Sequence, residues 1–230
     1  MKIALLILVS ALFTAAISGV FGMGGGLIFM GIIATFLTVA EAMVVHGAVQ
    51  SVSNSFRAYL LRDGICWNIL GWQLLGAIPA ILLLAIASVT LNKGQLFLAL
   101  GLLPLLLWLP KGWLQGDAKK PSNAVLCGAM VMGLNLTAGV AGPALDFFYV
   151  KTTLTRHQIV STKAVTMFAS HMVKILYFGL PLAASAGLGG LPPWWVFLLA
   201  IPAVMAGTYL GKRLLKHFSD VGFSSISRYL

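Results

Sequence analysis

Long apolar stretches without charged residues are the feature that most constrains this chain. The first runs from about residue 3 to residue 20, and similar stretches recur along all 230 residues. Each has the length of a helix that crosses the roughly 30 Å hydrocarbon core of a bilayer. Charged residues make up only 9% of the chain, against roughly 25% in soluble domains. The sequence therefore predicts an all-α, polytopic membrane protein and excludes a soluble globular fold.

The apolar segments fall into two halves with the same order of elements. Each half has a long segment, a Gly- or Pro-rich break, a short segment, a helix with polar residues inside it, and further apolar helix. The segments span about 3–20, 25–38, 40–60, 67–88 and 94–109, then 122–140, 144–153, 157–179 and 193–214. We expect one transmembrane domain over 1–230, with repeat 1 at about 1–110, an inner loop at 111–121 and repeat 2 at about 122–230. The last helix of repeat 2 is expected to be missing or divergent.

An internal sequence repeat supports this division. Ser18-Gly-Val-Phe-Gly22 matches Ala138-Gly-Val-Ala-Gly142 at a spacing of 120 residues. Beyond a gap of three residues the spacing becomes 117, and the polar positions of two apolar helices then coincide. His46, Gln50, Ser53, Asn54 and Arg57 fall opposite Lys163, Met167, Ser170, His171 and Lys174.

Basic residues between the segments indicate the orientation. If the N-terminus lies outside, nine lysines and arginines fall in inner loops and two in outer loops. The inner ones are Arg62, Lys111, Lys119, Lys120, Lys151, Arg156, Lys212, Arg213 and Lys216, and the outer ones are Lys2 and Lys93. Because inner loops are enriched in Lys and Arg, this distribution predicts an outside N-terminus and an inverted second half. It also explains the net charge of +10 without a nucleic-acid partner.

The first apolar run has a second interpretation. Ala15, Ala16 and Ser18 are small residues near its end, as at the cleavage site of a signal peptide. A similar stretch recurs in the second half, where no signal peptide could sit. We therefore interpret the first run as a membrane helix.

Glycine-rich breaks follow the first segment of each half. Gly19-Val-Phe-Gly-Met-Gly-Gly-Gly26 and Thr137-Ala-Gly-Val-Ala-Gly-Pro143 occupy equivalent places, and together they resemble the sulfite exporter TauE/SafE family. The resemblance extends over nearly the whole chain in layout. It implies a secondary transporter in the bacterial inner membrane that exports a small sulfur-containing anion, such as sulfite, a sulfonate or sulfoacetate, by alternating access. The chain departs from the family pattern in the acidic Asp146 and in a polar C-terminal end.

Interrupted helices within inverted repeats are a recurrent plan in secondary transporters, with the substrate bound near the breaks. A helix that restarts after a break offers unpaired N–H groups and a positive dipole end to an anion. The candidate binding residues here are Gly24, Gly25, Gly26, Gly142 and Pro143, with Asn135 and Thr137 as neutral donors. The alternative is that the glycines only permit close helix packing.

Two polar stripes provide the other part of the predicted site. Offsets of 4, 7, 8 and 11 residues lie on one face of a helix. The candidate substrate-binding residues are His46, Gln50, Asn54 and Arg57 in repeat 1, and Lys163, Ser170, His171 and Lys174 in repeat 2. Because an intramembrane lysine is costly, it is a functional hypothesis by default. We expect Lys163 to be the principal contact, since Arg57 and Lys174 lie nearer helix ends and could instead reach the headgroups.

Coupling to protons is an expected property of this site. An arriving anion favours the charged form of a desolvated lysine, so anion binding should take up protons. Asp146 and His46 are further coupling candidates, although Asp146 is expected to cap the first turn of a short helix.

Two other functions are compatible with the sequence. An anion channel would use the same residues. A membrane heme or redox protein would use His46 and His171 as axial ligands, although the two are not repeat mates. No nucleophile–base or metal-ligand spacing appears, so we expect neither an enzyme nor a cofactor. The expected partners are a small anion and the lipid bilayer, and the sequence is compatible with a homodimer.

Overall fold

Helices make up all the regular structure of residues 1–21, 24–108, 116–186 and 189–215, which the computed structural model describes. The α-helices are α1 (Lys2–Phe21), α2 (Gly25–Phe36), α3 (Val39–Leu60), α4 (Trp67–Ala87), α5 (Lys93–Leu102), α6 (Pro121–Thr137), α7 (Gly142–Phe147), α8 (Arg156–Ala186) and α9 (Trp194–Leu215). Short 3₁₀ helices occupy Arg62–Gly64 and Leu103–Trp108. The prediction of an all-α fold is confirmed.

Four of the described helices are long and apolar enough to cross a membrane. The spans are Lys2–Gly19, Trp67–Ala87, Arg156–Ser185 and Trp194–Gly211. α3 has 22 residues but carries the first polar stripe, and α6 has only 17 residues. The lengths and hydropathies confirm a helical membrane protein.

Matching local signals begin the third helix of each half. The Oγ1 of Thr38 accepts from the Glu41 backbone N–H at 3.4 Å, and the Glu41 carboxylate accepts from the Thr38 N–H at 2.8 Å. Thr155 and Gln158 form the same capping box before α8, at 3.3 and 3.0 Å. Thr155 follows Thr38 by 117 residues, the spacing of the polar stripes. The capping boxes and the polar stripes of α3 and α8 therefore repeat at the same spacing.

Helix packing relates the two halves. α1 packs against α9 and α4 packs against α6, so each first helix pairs with the fourth helix of the other half. The third helices, α3 and α8, pack against each other. The fourth helices also share a sequence, Ala77-Ile-Pro-Ala80 in α4 and Ala200-Ile-Pro-Ala203 in α9. The division into two repeats remains a prediction, which this exchange of partners supports.

Glycines allow these helix pairs to approach closely. A Cβ atom added at Gly76 of α4 would lie 1.9 Å from the carbonyl oxygen of Val125 in α6. One added at Gly207 of α9 would lie 2.2 Å from the carbonyl oxygen of Leu12 in α1. Both pairs therefore depend on backbone contact through small residues, as is common between membrane helices.

Repeat 2 differs from the expected segments in two places. α7 begins at Gly142 rather than near residue 144 and contains six residues. α8 continues beyond the expected end near residue 179 to Ala186, because the leucines and alanines around Pro181 favour helix.

Parts of the predicted organisation lie outside the described residues, namely Gly22, Met23, Lys111, Lys216 and the polar C-terminal end.

Candidate functional site

A cavity of about 90 Å³ lies between the two breaks and the central helices α3 and α8. It is smaller than the roughly 300–1,000 Å³ pockets that hold drug-sized molecules, so it suits a small ligand. Eleven of the predicted site residues line it: Gly24, Gly26, His46, Gln50, Asn54, Arg57, Gly142, Pro143, Asp146, Lys163 and His171. The structure thus brings both breaks and both polar stripes to one place.

The first break presents the start of α2 to the cavity. Gly24 has a φ of 84°, which glycine adopts readily and other residues rarely do. α2 has no side-chain cap, so its first N–H groups have no intrahelical partner. A Cβ atom at Gly26 would lie 3.3 Å from Gln50 Nε2 in the cavity, whereas one at Gly25 would lie 2.0 Å from the carbonyl oxygen of Thr14. Gly26 therefore lines the cavity, and Gly25 permits close packing of α2 on α1.

The second break is organised differently. Gly139 has a φ of 75°, and the short helix α7 begins at Gly142 and Pro143. Proline has no N–H, so this helix start offers fewer donors to an anion than α2 does. A Cβ atom at Gly142 would meet no atom within 4 Å, which places this glycine beside open space.

Asp146 does not cap α7. The helix begins earlier than expected, so Asp146 is its fifth residue and lies outside its first turn. Its carboxylate instead accepts a hydrogen bond from the Lys163 ammonium group, and the two form an ion pair. The side chains are 20% and 19% exposed, and Asp146 Oδ2 has no other partner among the described residues. The predicted cap is therefore wrong, and the predicted principal contact, Lys163, has an internal counterion.

Arg57 is a cavity-lining cation without a hydrogen-bond or ion-pair partner among the described residues. Its side chain is partly exposed at the C-terminal end of α3. The guanidinium group makes no hydrogen bond or ion pair with any described residue, and it lies close enough to Lys163 for electrostatic repulsion. A guanidinium group presents a planar set of donors that matches oxyanions well. No described residue therefore neutralises the Arg57 charge.

The two predicted histidines lie edge to face in the cavity, with ring centroids 5.4 Å apart. His46 Nε2 lies 2.9 Å from the Gly26 carbonyl oxygen, and its Nδ1 lies 2.8 Å from Lys174 Nζ. Because a carbonyl only accepts, Nε2 carries the proton and Nδ1 accepts from the lysine. His171 Nδ1 has no hydrogen-bond partner within the described part of the chain. Since both nitrogens of His46 are in use, the pair does not fit axial ligation of a heme.

Lys174 is fully buried and does not reach the membrane surface. Its Nζ donates to His46 Nδ1 at 2.8 Å, Asn135 Oδ1 at 3.2 Å and the Gly139 carbonyl oxygen at 2.8 Å. These contacts use all three N–H donors on neutral acceptors. The interpretation that Lys174 snorkels to the headgroups is wrong, because α8 continues past it to Ala186.

Through these contacts, Lys174 connects the two breaks. The Gly26 carbonyl accepts from His46, His46 accepts from Lys174, and Lys174 also donates to the Gly139 carbonyl. The connected groups lie in α2, α3, α8 and the segment between α6 and α7. A single buried side chain therefore holds both interruptions against the central helices.

The remaining predicted residues lie outside the cavity lining. Asn135 Nδ2 donates to Ser170 Oγ at 3.0 Å, which joins α6 to α8 behind the cavity. Thr137 Oγ1 donates to the Gly133 carbonyl of its own helix at 2.8 Å. None of these three side chains is part of the cavity lining.

Seven lining residues were not predicted from the sequence: Ser18, Leu27, Val140, Leu145, Val160, Ala164 and Met167. Six are apolar and carry no chemical signal of their own. Met167 is the repeat mate of Gln50, and Ser18 begins the repeated glycine motif, so the repeat itself could have identified these two.

Helices α3 and α8 pack antiparallel, and the repeat relates the two ends of this helix pair to each other. The contacts at the two ends differ. At a spacing of 117, His46 corresponds to Lys163, and Arg57 corresponds to Lys174. The His46–Lys174 contact at one end is therefore the counterpart of the Lys163–Arg57 approach at the other. The first end is closed by a hydrogen bond, whereas the second holds the cavity and two cations that repel each other.

Comparison with known proteins places this chain in a family. Neither the curated proteins nor the solved structures gave a match. A family model described as sulfite exporter TauE/SafE matches residues 7–226, a range that includes both breaks, both polar stripes and the cavity. The resemblance carried by the two glycine motifs is thereby confirmed. The chain belongs to the sulfite exporter TauE/SafE family of membrane transporters.

Proposed function

We propose that this protein is a secondary transporter that exports a small sulfur-containing anion of the sulfite, sulfonate or sulfoacetate class across the bacterial inner membrane. The observation that carries the proposal is the free Arg57 guanidinium group in a cavity between two helix breaks. Family membership supports a transported anion. The size of the cavity favours a small one.

The charge and donors of the cavity lining favour an oxyanion. Arg57 and Lys163 carry two positive charges and Asp146 carries one negative charge, so these three residues sum to one positive charge. Gln50 and the start of α2 add neutral donors beside them. Oxygen atoms of a sulfite or sulfonate group accept hydrogen bonds from donors of this kind.

The two unequal ends of the α3–α8 pair support alternating access as the mechanism. If the equivalent ends exchange states, the Arg57 end closes while the His46–Lys174 end opens. With the N-terminus outside, as the loop charges predict, the cavity faces the cytoplasm in this conformation. Beyond the histidines, buried Met30 and Met43 pack against Gly139. This closed end favours a transporter over an open channel.

Calorimetric binding of sulfite, thiosulfate, sulfoacetate, taurine and phosphate to the purified protein tests the proposal. We expect Arg57→Gln to weaken binding of the preferred anion by more than tenfold, about 1.4 kcal/mol, because its charge is not balanced internally. Arg62→Gln is the matched control, since Arg62 is exposed and lies beside Asp63 outside the cavity.

Three results would count against the proposal in different ways. Equal affinity in wild type and Arg57→Gln would contradict the assigned site. Preference for phosphate over every sulfur-containing anion would contradict the substrate class. Absence of saturable anion movement in liposomes containing the wild-type protein would contradict transport itself.

A further inference from the structure

Among the described residues that line the cavity, Asp146 is the one with an acidic side chain. A carboxylate is unexpected in a site for anions. It pairs with Lys163, so one of the two lining cations is neutralised by the protein itself. Its second oxygen, Oδ2, is buried and has no hydrogen-bond partner within the described residues. The carboxylate is therefore held by the lysine alone.

The number of charges on the ligand decides whether this ion pair survives binding. A singly charged anion is balanced by Arg57, and the Lys163–Asp146 pair can remain. A doubly charged anion needs a second cation, and Lys163 is the other cation in the described lining. Because the anion and Asp146 would then compete for one ammonium group, the carboxylate must lose its partner or its charge.

The Asp146 side chain is only 20% exposed and its Oδ2 atom is buried, so this carboxylate is costly to keep ionised without a cation, and protonation is the favourable outcome. The gain of one proton also restores the charge balance, since Arg57 and Lys163 together then match a doubly charged ligand. The proton comes from the aqueous solution that reaches the cavity, and no other bond forms or breaks.

We propose that Asp146 is an internal counterion of Lys163 that a doubly charged anion displaces, and that the displaced carboxylate takes up one proton, so that dianion and proton bind together. This inference rests on the proposed function and adds the coupling ion to it. Singly charged anions would bind without proton uptake.

The counterion is present in one repeat only. At the spacing of 117, Asp146 corresponds to Phe29, and Lys163 corresponds to His46. Phe29 stacks on His46 with ring centroids 5.9 Å apart, in the place where Asp146 pairs with Lys163. An apolar contact in repeat 1 thus corresponds to an ion pair in repeat 2. Because phenylalanine cannot bind a proton, the proton-binding group of the proposal lies at the second break.

Other titratable groups also face this region. Arg57 and His46 project from α3, and Lys163 and His171 project from α8. Because arginine keeps its proton in proteins, Arg57 is not a proton acceptor. Both nitrogens of His46 already have partners. His171, whose Nδ1 is unpartnered, is the competing proton acceptor. A test must therefore separate Asp146 from His171.

Proton uptake can be measured by calorimetry of the purified full-length protein in two buffers with different ionisation enthalpies. Sulfoacetate, doubly charged at pH 7, and methanesulfonate, singly charged, serve as probes. We expect wild type to take up about one proton per sulfoacetate and none per methanesulfonate, with sulfoacetate affinity falling by up to about tenfold per pH unit as pH rises. Asp146→Asn should bind sulfoacetate without proton uptake, and Asp146→Glu should restore the uptake.

His171→Asn provides the control, because asparagine occupies the equivalent position, Asn54, in repeat 1. Uptake that persists in Asp146→Asn but disappears in His171→Asn would overturn the proposal in favour of the histidine. Wild-type binding of sulfoacetate without proton uptake would also overturn it. If Asp146→Asn does not fold, loss of uptake in His171→Asn decides against the proposal, because Asp146 is intact in that variant. Absence of binding by any anion would instead refute the proposed function.

Discussion

Replacement of Lys174 by methionine tests the structural role of the buried connection between the breaks. Lys174 is fully buried, and its ammonium group donates to a side chain of α3, a side chain of α6 and a carbonyl of the second break. Methionine has a similar volume and an apolar end, so Lys174→Met removes the hydrogen bonds without opening a large cavity.

The size of the effect follows from the three acceptors that lose their donor. These are His46 Nδ1, Asn135 Oδ1 and the Gly139 carbonyl oxygen. Side-chain hydrogen bonds between membrane helices contribute about 0.6 kcal/mol on average, and a buried acceptor left unsatisfied costs about 1 kcal/mol or more. We therefore expect Lys174→Met to lower the free energy of unfolding by about 2 to 4 kcal/mol.

The assay is reversible unfolding in mixed detergent micelles, with anion affinity measured on the protein that remains folded. Lys93→Met is the matched control, because Lys93 is exposed and donates one hydrogen bond, to the Thr35 carbonyl at 3.0 Å. We expect it to change stability by less than about 0.5 kcal/mol. If Lys174→Met were as stable as Lys93→Met, Lys174 would not hold the breaks together.

Two further predictions concern the glycines and the orientation. Gly25→Ala should destabilise the protein, because its Cβ would lie 2.0 Å from the Thr14 carbonyl oxygen, whereas Gly142→Ala should fold normally in open space; equal thermal stability of the two variants would contradict this division of roles. Cysteines placed at Lys119 and Ser185, both exposed, should react with impermeant reagents from opposite sides of the membrane. Labelling from the same side would contradict the predicted inverted topology.

The helices and their order could be predicted from the lengths of the apolar segments and from the internal repeat. Apolar length predicted the helices, and the 117-residue spacing predicted that the stripes containing His46 and Lys163 would occur on equivalent helices. The boundaries of α3 were close to expectation because Thr38 and Glu41 form a capping box at its start. The capping box is local, and the 117-residue spacing can be found by comparing the sequence with itself, so neither signal depends on knowing how the helices pack.

The roles of individual charged residues were less predictable because they depend on contacts between distant segments. Lys174 was placed near a helix end, but the extension of α8 to Ala186 buries it. Asp146 was expected to be a cap, but an earlier helix start turns it into the partner of Lys163. No local pattern indicates that, of the lysine and arginine in the described cavity lining, Lys163 has a carboxylate partner and Arg57 does not.

Alternating access by exchange of the two ends of the α3–α8 pair is most directly tested by a disulfide lock at the closed end. A Cβ atom at Gly47 would lie 2.7 Å from Ile175 Cγ1, so Gly47→Cys and Ile175→Cys place two thiols in contact across α3 and α8. The measurement is anion transport in liposomes, before and after oxidation, in a background without Cys66 and Cys127. We predict that the crosslinked protein still binds the anion from the Arg57 side but does not transport it, and that reduction restores transport. Transport at an unchanged rate by the fully crosslinked protein would contradict the mechanism.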